Sequence, residues 1–189
     1  MPPVILQTGR LVLRPFKAGD VPTFHEYMSD PEVALYTSLL PISLEQAQET
    51  IDGIARAQAA SDAPPLIFAI ALRGDGLLIG NCRLKREKDD PDQATIAYFL
   101  NRRYWGQGYA TEATHALIDY GFKELGLERI FGLCVPENVA SRRVMEKAGM
   151  RAEEPLNFYA EQGHFHRGEF RDLTYLRYAV HRPSLERRQ

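Results

Sequence analysis

The sequence predicts an α+β fold in three layers, a mixed β-sheet with helices on both faces. Two observations carry this. Residues 66–100 hold three apolar, strand-like runs in succession, the signature of an antiparallel meander. After residue 100 the pattern changes to helix, strand, helix, the alternation that accompanies parallel pairing. A meander continued by βαβα puts both kinds of pairing into one sheet.

The elements follow in order. "TGRLVLRPF" (8–16) alternates Leu11 and Leu13 with polar neighbours and reads as a strand. Asp20 stands at the N-cap position before "VPTFHEYM", with Pro22 in the first turn, where its missing N–H costs little. "DPEVALYTSLLP" (30–41) is rich in breakers and reads as irregular. Ser43 opens a second helix, with Gln46 at capping-box spacing, and "SDAPP" (61–65) ends it. "LIFAIAL" (66–72) and "LLIGNCRLK" (77–85) form a hairpin across Asp75–Gly76. "REKDDPDQ" (86–93) is a charged connection, and "ATIAYFL" (94–100) is the next strand.

A helix is predicted from about Ala110 to Leu125, with Ala113, Leu117 and Gly121 on one stripe and Gly126 as its stop. "RIFGLCV" (129–135) is a buried strand. Asn138 caps a short helix, "VASRRVMEKA", that ends at Gly149. "FHRGEFRDLTYLRYAV" (165–180) reads as one or two final strands around a turn at Arg167–Gly168, before a polar terminus, "HRPSLERRQ".

Composition excludes several function classes. The chain has 189 residues, 44% hydrophobic and 25% charged, which fits one globular domain with a sizeable core. A net charge of -2 gives no basic field for nucleic acid, so any anion site has to be local. Cys82 and Cys134 lie in apolar runs without metal-ligand spacing, so two buried reduced thiols are expected, and no metal. "MPPVILQTGR" lacks the features of a signal peptide, and no apolar run reaches the length of a membrane span. A soluble cytoplasmic protein is expected, a monomer or homodimer with neither nucleic acid nor membrane as partner.

The most informative stretch is "YWGQGYATEA" (104–113), between a strand and a helix. First-turn N–H groups lack helical acceptors, and the helix dipole adds partial positive charge, so a glycine turn at that point suits an anion. Gly106 and Gly108 let the anion approach the backbone, and Arg102 and Arg103 add charge nearby. A P-loop would need Gly-Lys-Ser/Thr, which is absent. A dinucleotide fingerprint would need Gly or Ala where Thr111 stands. About thirty residues on, "VPENVASRRVMEKAGM" (135–150) places Asn138 and Ser141 at the start of a helix after a buried strand, an arrangement that capping alone also explains.

The two stretches together, in this order, resemble the GNAT superfamily of acetyl-CoA-dependent N-acetyltransferases. Its loop pattern Arg/Gln-x-x-Gly-x-Gly/Ala is matched here by Arg103, Gly106 and Gly108. The resemblance is closest to the RimJ/RimL-type, ribosomal-protein N-acetyltransferase branch, which favours a start like "TGRLVLRPFKAGD" as well, and it covers nearly the whole chain. It implies a single GNAT domain over 1–189, with its core at about 8–180 and a polar tail at 181–189. It implies a strongly twisted sheet of about seven strands, splayed between the strands at 94–100 and 129–135. The pantetheine arm of acetyl-CoA would lie in the splay against Phe99 and Leu100. The pyrophosphate would meet the backbone of Tyr104, Trp105, Gly106, Gln107, Gly108, Tyr109 and Ala110. Asn138 would bond the pantetheine, Arg143 or Arg142 would reach the nucleotide end, and Trp105 would pack beneath the loop.

The implied reaction is direct attack of a primary amine, a protein N-terminal α-amine or a small-molecule amine, through a tetrahedral intermediate. The amine must lose a proton, the oxyanion must be stabilised, and the thiolate must leave. An α-amine with a pKa of about 8 needs less help than a lysine at about 10.4. The N–H of Leu100 is placed to polarise the carbonyl. By resemblance, Ser141 interacts with the sulfur and supplies the proton to the thiolate. Many branch members carry a glutamate where this chain has Thr95, which removes that base. The tail "YAEQGHFHRGEFRD" offers His164 first and Glu161 second as the base, with His166 and Glu169 nearby. Tyr98 reads as a wall of the site and Asp172 as structural. Acceptor specificity is expected from Glu26 to Pro41, the helix from Ser43, and the tail. The alternative is an acyl-CoA-binding sensor that has lost catalysis, which Thr95 favours and Asn138 with Ser141 oppose.

Overall fold

A computed structural model describes residues 3–36, 41–60, 65–158 and 173–183. Its strands are β1 (Leu6–Gln7), β2 (Leu11–Arg14), β3 (Leu66–Leu72), β4 (Leu78–Arg86), β5 (Gln93–Leu100), β6 (Arg129–Cys134), β7 (Arg151–Phe158) and β8 (Leu173–His181). The helices are α1 (Val21–Met28), α2 (Pro31–Ala34), α3 (Leu44–Ala60), α4 (Tyr109–Lys123) and α5 (Val139–Lys147). One 8-stranded sheet runs β1-β2-β3-β4-β5-β6-β8-β7. Its neighbours pair antiparallel except β5 and β6, which are parallel. This is the predicted mixed sheet, meander first.

Three local expectations need correction. The strand expected at 8–16 is the shorter β2, and Thr8 turns the chain into it from β1: its N–H donates to the Leu11 carbonyl and its Oγ1 accepts from the Leu11 N–H, both at 2.9 Å. "RAEEPLNF" forms β7, a strand the sequence pattern did not reveal. Pro155 breaks its alternation, and the register shifts between Glu153 and Leu156. An edge strand tolerates this, since a missing N–H on the outer side loses no ladder bond. Residues 31–34 are helical, not irregular, because the Asp30 side chain caps them by accepting from the Glu32 N–H at 2.9 Å. The turn expected at Arg167–Gly168 lies outside the described residues.

Apart from the cap expected at Asp20, the other local signals hold. Ser43 and Gln46 form the reciprocal capping box of α3, at 2.8 and 3.2 Å. Both cysteines are buried free thiols; burial pushes Cys134 up to about 11 and Cys82 higher still. Among the described residues no helix is long and apolar enough to cross a membrane.

Strand alternation divides the core between the two faces. One face of the sheet packs Leu11, Leu13, Ile70, Ile96 and Leu100 against Ala113, Leu117 and Phe122 of α4 and Met145 of α5. The other packs Ala69 and Leu78 against Phe24, Tyr27 and Met28 of α1 and Ala47 and Ile51 of α3. A fully buried leucine such as Leu117 stabilises by roughly 1.5–3 kcal/mol. The sheet also needs Gly80: a Cβ there would sit 2.2 Å from the Phe99 carbonyl oxygen. Strand β4 therefore presses directly on the end of β5, the part that borders the site.

Asp20 is not the cap the sequence suggests. It makes no side-chain cap bond to α1; its carboxylate instead receives both terminal nitrogens of Arg14, at 2.7 and 2.9 Å, and the Lys17 N–H at 2.8 Å. Burial alone pushes the Asp20 carboxyl up, but the bonds from Arg14 and Lys17 outweigh it and hold it below its usual range. Its stabilisation is complete above the ordinary carboxylate value, about 3.9, and is lost as pH falls through the lower folded value. Arg14→Met strands the buried carboxylate and is expected to cost about 3–5 kcal/mol in urea unfolding at neutral pH. That penalty should shrink in acid, as the wild type loses the same pair.

Candidate active site

The site begins where β5 and β6 part. They pair only from Gln93–Arg129 to Thr95–Phe131, after which β5 follows β4 and β6 follows β8. Along β5 the odd residues bond to β4, as the Asn101 N–H to the Ile79 carbonyl (2.9 Å) shows. Ladder alternation then turns the backbone groups of Tyr98 and Leu100 toward the opening. Phe99, expected beside Leu100 as a backbone partner, instead spends its backbone on β4 and lends the opening its side chain.

A cleft of about 380 Å³ fills this splay. It is lined from β5 by Tyr98, Phe99 and Leu100, from the loop by Tyr104, Trp105, Gly106 and Gly108, from α4 by Tyr109, Ala110 and Thr111, and from α5 by Asn138, Ala140, Ser141, Arg143, Val144 and Lys147. Glu32, Val33 and Tyr36 close it from the α2 side. A shallow groove of about 500 Å³ continues past Gly108, Thr111 and Lys147 to His115.

The loop is shaped by its glycines. Gly106 and Gly108 have φ of 73° and 82°, the left-handed region that side chains disfavour. Gly108 is the N-cap of α4 and offers no side chain to its first turn. The first helical bond runs from the Glu112 N–H to the Gly108 carbonyl at 3.0 Å, so the N–H groups of Tyr109, Ala110 and Thr111 have no acceptor within the helix.

A clamp from the N-terminal hairpin braces the loop. The Glu112 carboxylate accepts from the Thr8 hydroxyl (2.6 Å), the Arg10 N–H (2.8 Å) and the Arg10 Nε (2.6 Å). Arg10 also donates to the Gln107 carbonyl at 3.0 Å and stacks 4.4 Å over the Tyr109 ring. Burial raises the Glu112 carboxyl, but the Thr8 and Arg10 donors outweigh it and keep it ionised. This clamp escaped the sequence reading although both halves stand in quoted motifs, Thr8 and Arg10 in "TGR" and Glu112 in "ATEA".

On the facing helix, the Asn138 Oδ1 accepts the Ser141 N–H at 3.0 Å and so caps α5. The Ser141 Oγ lies 2.8 Å from the Tyr98 hydroxyl, which also reaches the Ser141 carbonyl at 3.1 Å. Tyr98 is thus more than a wall: it holds the serine. Burial pushes its phenol well above the ordinary value, despite the bond to Ser141. Arg143 and Lys147 line the cleft with no carboxylate partner among the described residues, so positive charge collects at the α5 end. Lys147 was not singled out from the sequence.

Four expected residues sit differently. Arg103 turns away from the cleft lining to meet Glu26 at 3.1 Å, and Arg102 meets Asp30 at 3.3 Å. Gln107 stands behind the loop and donates to the Arg103 carbonyl at 3.0 Å. Trp105 does not pack beneath the loop: it is 42% exposed and lines the cleft. The reason is its N–H, which donates to the Leu100 carbonyl at 2.8 Å, an acceptor made available where the strands part. Thr95 lies outside the cleft lining, and its hydroxyl bonds to Glu87. His164 and Glu161 fall outside the described residues.

A sheet opened between two parallel strands, with bare helix N–H groups at one end of the gap and a hydroxyl pair beside it, suits an anionic donor with an extended arm and fits the acyl-CoA-dependent transferases that the sequence resembles. Residues 10–151 match the acetyltransferase (GNAT) domain model, and the chain belongs to that family. It is 34% identical over 155 residues to the uncharacterized N-acetyltransferase p20 of Bacillus licheniformis, covering 82% of this chain and 86% of the relative. The fold superposes on a GNAT-family acetyltransferase from Bacillus anthracis with a TM-score of 0.78, at 31% identity over 94% of this chain and 98% of that one. RimL, a ribosomal L7/L12 alpha-N-protein acetyltransferase solved with coenzyme A, shares the fold at a TM-score of 0.75, with 17% identity over 94% of this chain and 98% of its own. Enzymes of this family use acetyl-CoA as cosubstrate.

Proposed function

We propose that this chain, acting as a single domain in the cytoplasm, transfers the acetyl group of acetyl-CoA to a primary amine through the β5–β6 splay. The observation that carries the reading is the convergence on one cleft of bare N–H groups at α4, free cations at α5 and the Tyr98–Ser141 pair. The residues fit the donor. The N–H groups of Tyr109 to Thr111, with Gly106 and Gly108, would hold its pyrophosphate. Arg143 and Lys147 would meet the nucleotide end, and the Leu100 N–H and Asn138 the pantetheine arm. Acetyl-CoA supplies an activated thioester and a good leaving group.

The chain's own groups then divide the work. The Leu100 N–H faces the splay and is placed to stabilise developing negative charge on oxygen. Ser141 gives a hydrogen bond to the departing sulfur. Tyr98 fixes the serine through the contact between their hydroxyls and its bond to the Ser141 carbonyl. His164, with Glu161 second, is the side chain we assign to removal of the amine proton. The motifs shared with the ribosomal-protein branch support a protein N-terminal amine or a small amine as acceptor.

Acetyl-CoA at about 100 times its dissociation constant adds about 2.7 kcal/mol of stability. For a domain of this size that raises the melting temperature by roughly 5–10 °C. Dephosphorylated pantetheine, lacking the pyrophosphate, should give almost none of that shift. Absence of any shift with acetyl-CoA contradicts the reading.

A further inference from the structure

We infer that the acceptor is a small primary ammonium compound with an aromatic or apolar body and no carboxylate beside its amine, received between Glu32, Tyr36 and Trp105; this rests on the acetyl-transfer reading above. The cleft passes through the sheet. Its α4 and α5 walls belong to one face, while Glu32, Val33 and Tyr36 follow α1, which packs on the other. The two mouths differ in charge. Among the described residues three charged side chains line the cleft: Arg143 and Lys147 at α5, and Glu32 at α2. Phosphates belong to the first mouth, and a cation to the second.

Glu32 is available for this. The arginines near its helix are already matched, Arg102 to Asp30 and Arg103 to Glu26, at 3.3 and 3.1 Å. The Glu32 carboxylate has no ion-pair partner among the described residues. Two rings that solvent still reaches line the same cleft, Tyr36 at 37% and Trp105 at 42% exposure. Aromatic faces beside a carboxylate suit a cation carrying an apolar body. The Trp105 ring is fixed in the cleft wall by its bond to the Leu100 carbonyl. A free amino acid would bring its own carboxylate toward Glu32 and be repelled. Room argues for a small acceptor, since about 380 Å³ must also admit the donor's arm.

Trp105 is the only tryptophan in the chain, so its fluorescence reports this mouth directly. The protein saturated with CoA, which cannot acetylate, is titrated with phenethylamine, with phenylalanine, and with a short C-terminally amidated peptide bearing a free N-terminus. The expected result is a saturable change with phenethylamine at a concentration about tenfold lower than with phenylalanine or the peptide. Glu32→Gln should raise the phenethylamine midpoint about tenfold and leave the CoA response unchanged. The inference is overturned if CoA alters the fluorescence but phenethylamine does not, if phenylalanine or the peptide binds as well, or if Glu32→Gln binds phenethylamine normally. If CoA itself produces no change, the donor reading falls and the acceptor inference with it.

Discussion

Ser141→Ala is expected to lower turnover by about 10²-fold while acetyl-CoA affinity stays within a few-fold. The thiolate is a fair leaving group, so the loss should lie at the low end of general acid–base effects. The cap of α5 survives, because it uses the Ser141 N–H and the Asn138 side chain, at 3.0 Å. Tyr98→Phe removes the hydroxyl 2.8 Å from the Ser141 Oγ and should cost about tenfold, again in kcat rather than in KM for acetyl-CoA. The double variant should be no slower than Ser141→Ala alone, since Tyr98 acts through the serine. Steady-state kinetics on the four proteins measures this. Multiplicative losses would show that the two hydroxyls work separately and that the assigned chain of contacts is wrong.

Gly108→Val is expected to weaken acetyl-CoA binding by about 10–100-fold. The residue stands at φ 82°, where a β-branched side chain is strained by about 1–3 kcal/mol. Its Cβ would also lie 3.4 Å from the Arg10 guanidinium, which belongs to the clamp on Glu112. Relief of that strain rotates the N–H groups the donor needs. Gly149→Val provides the control. It has φ 81° and an open neighbourhood at the far end of α5, so it should lower stability by a similar amount and leave affinity unchanged. Equal affinity in the wild type and Gly108→Val, measured by Trp105 fluorescence, would remove the loop from the binding site.

The parts of this protein legible in its sequence are those decided by local chemistry. The capping box at Ser43 and Gln46, the hairpin at Asp75–Gly76, the glycine turn before α4 and the Asn138 cap each depend on a few adjacent residues, and each appears where expected. What escaped was decided between distant residues. Asp20 looks like a cap from its neighbours, but Arg14 claims its carboxylate. The strand β7 has a broken pattern and exists because β8 accepts it at the sheet edge.

The site divides in the same way. Glycines, Asn138 and Ser141 were readable because backbone geometry and helix starts demand them. Tyr98 looked like a wall because its role needs a residue 43 positions away. The Arg10–Glu112 clamp joins chain segments 102 residues apart, and nothing in either segment alone points to the other. Arg103 looked like an anion ligand from its place beside the loop, whereas folding brings Glu26 to it first.

The central claim is that this cleft both holds acetyl-CoA and gives its acetyl group to an amine. Amine-dependent release of free CoA thiol, with the mass of the amine product read in the same reaction, tests it most directly. One acetylated amine is expected for each thiol released, at a rate that falls about 10²-fold in Ser141→Ala. Firm binding of acetyl-CoA with no amine-dependent thiol release, across phenethylamine, other small amines and peptide N-termini, would contradict it and leave a CoA-binding module in its place.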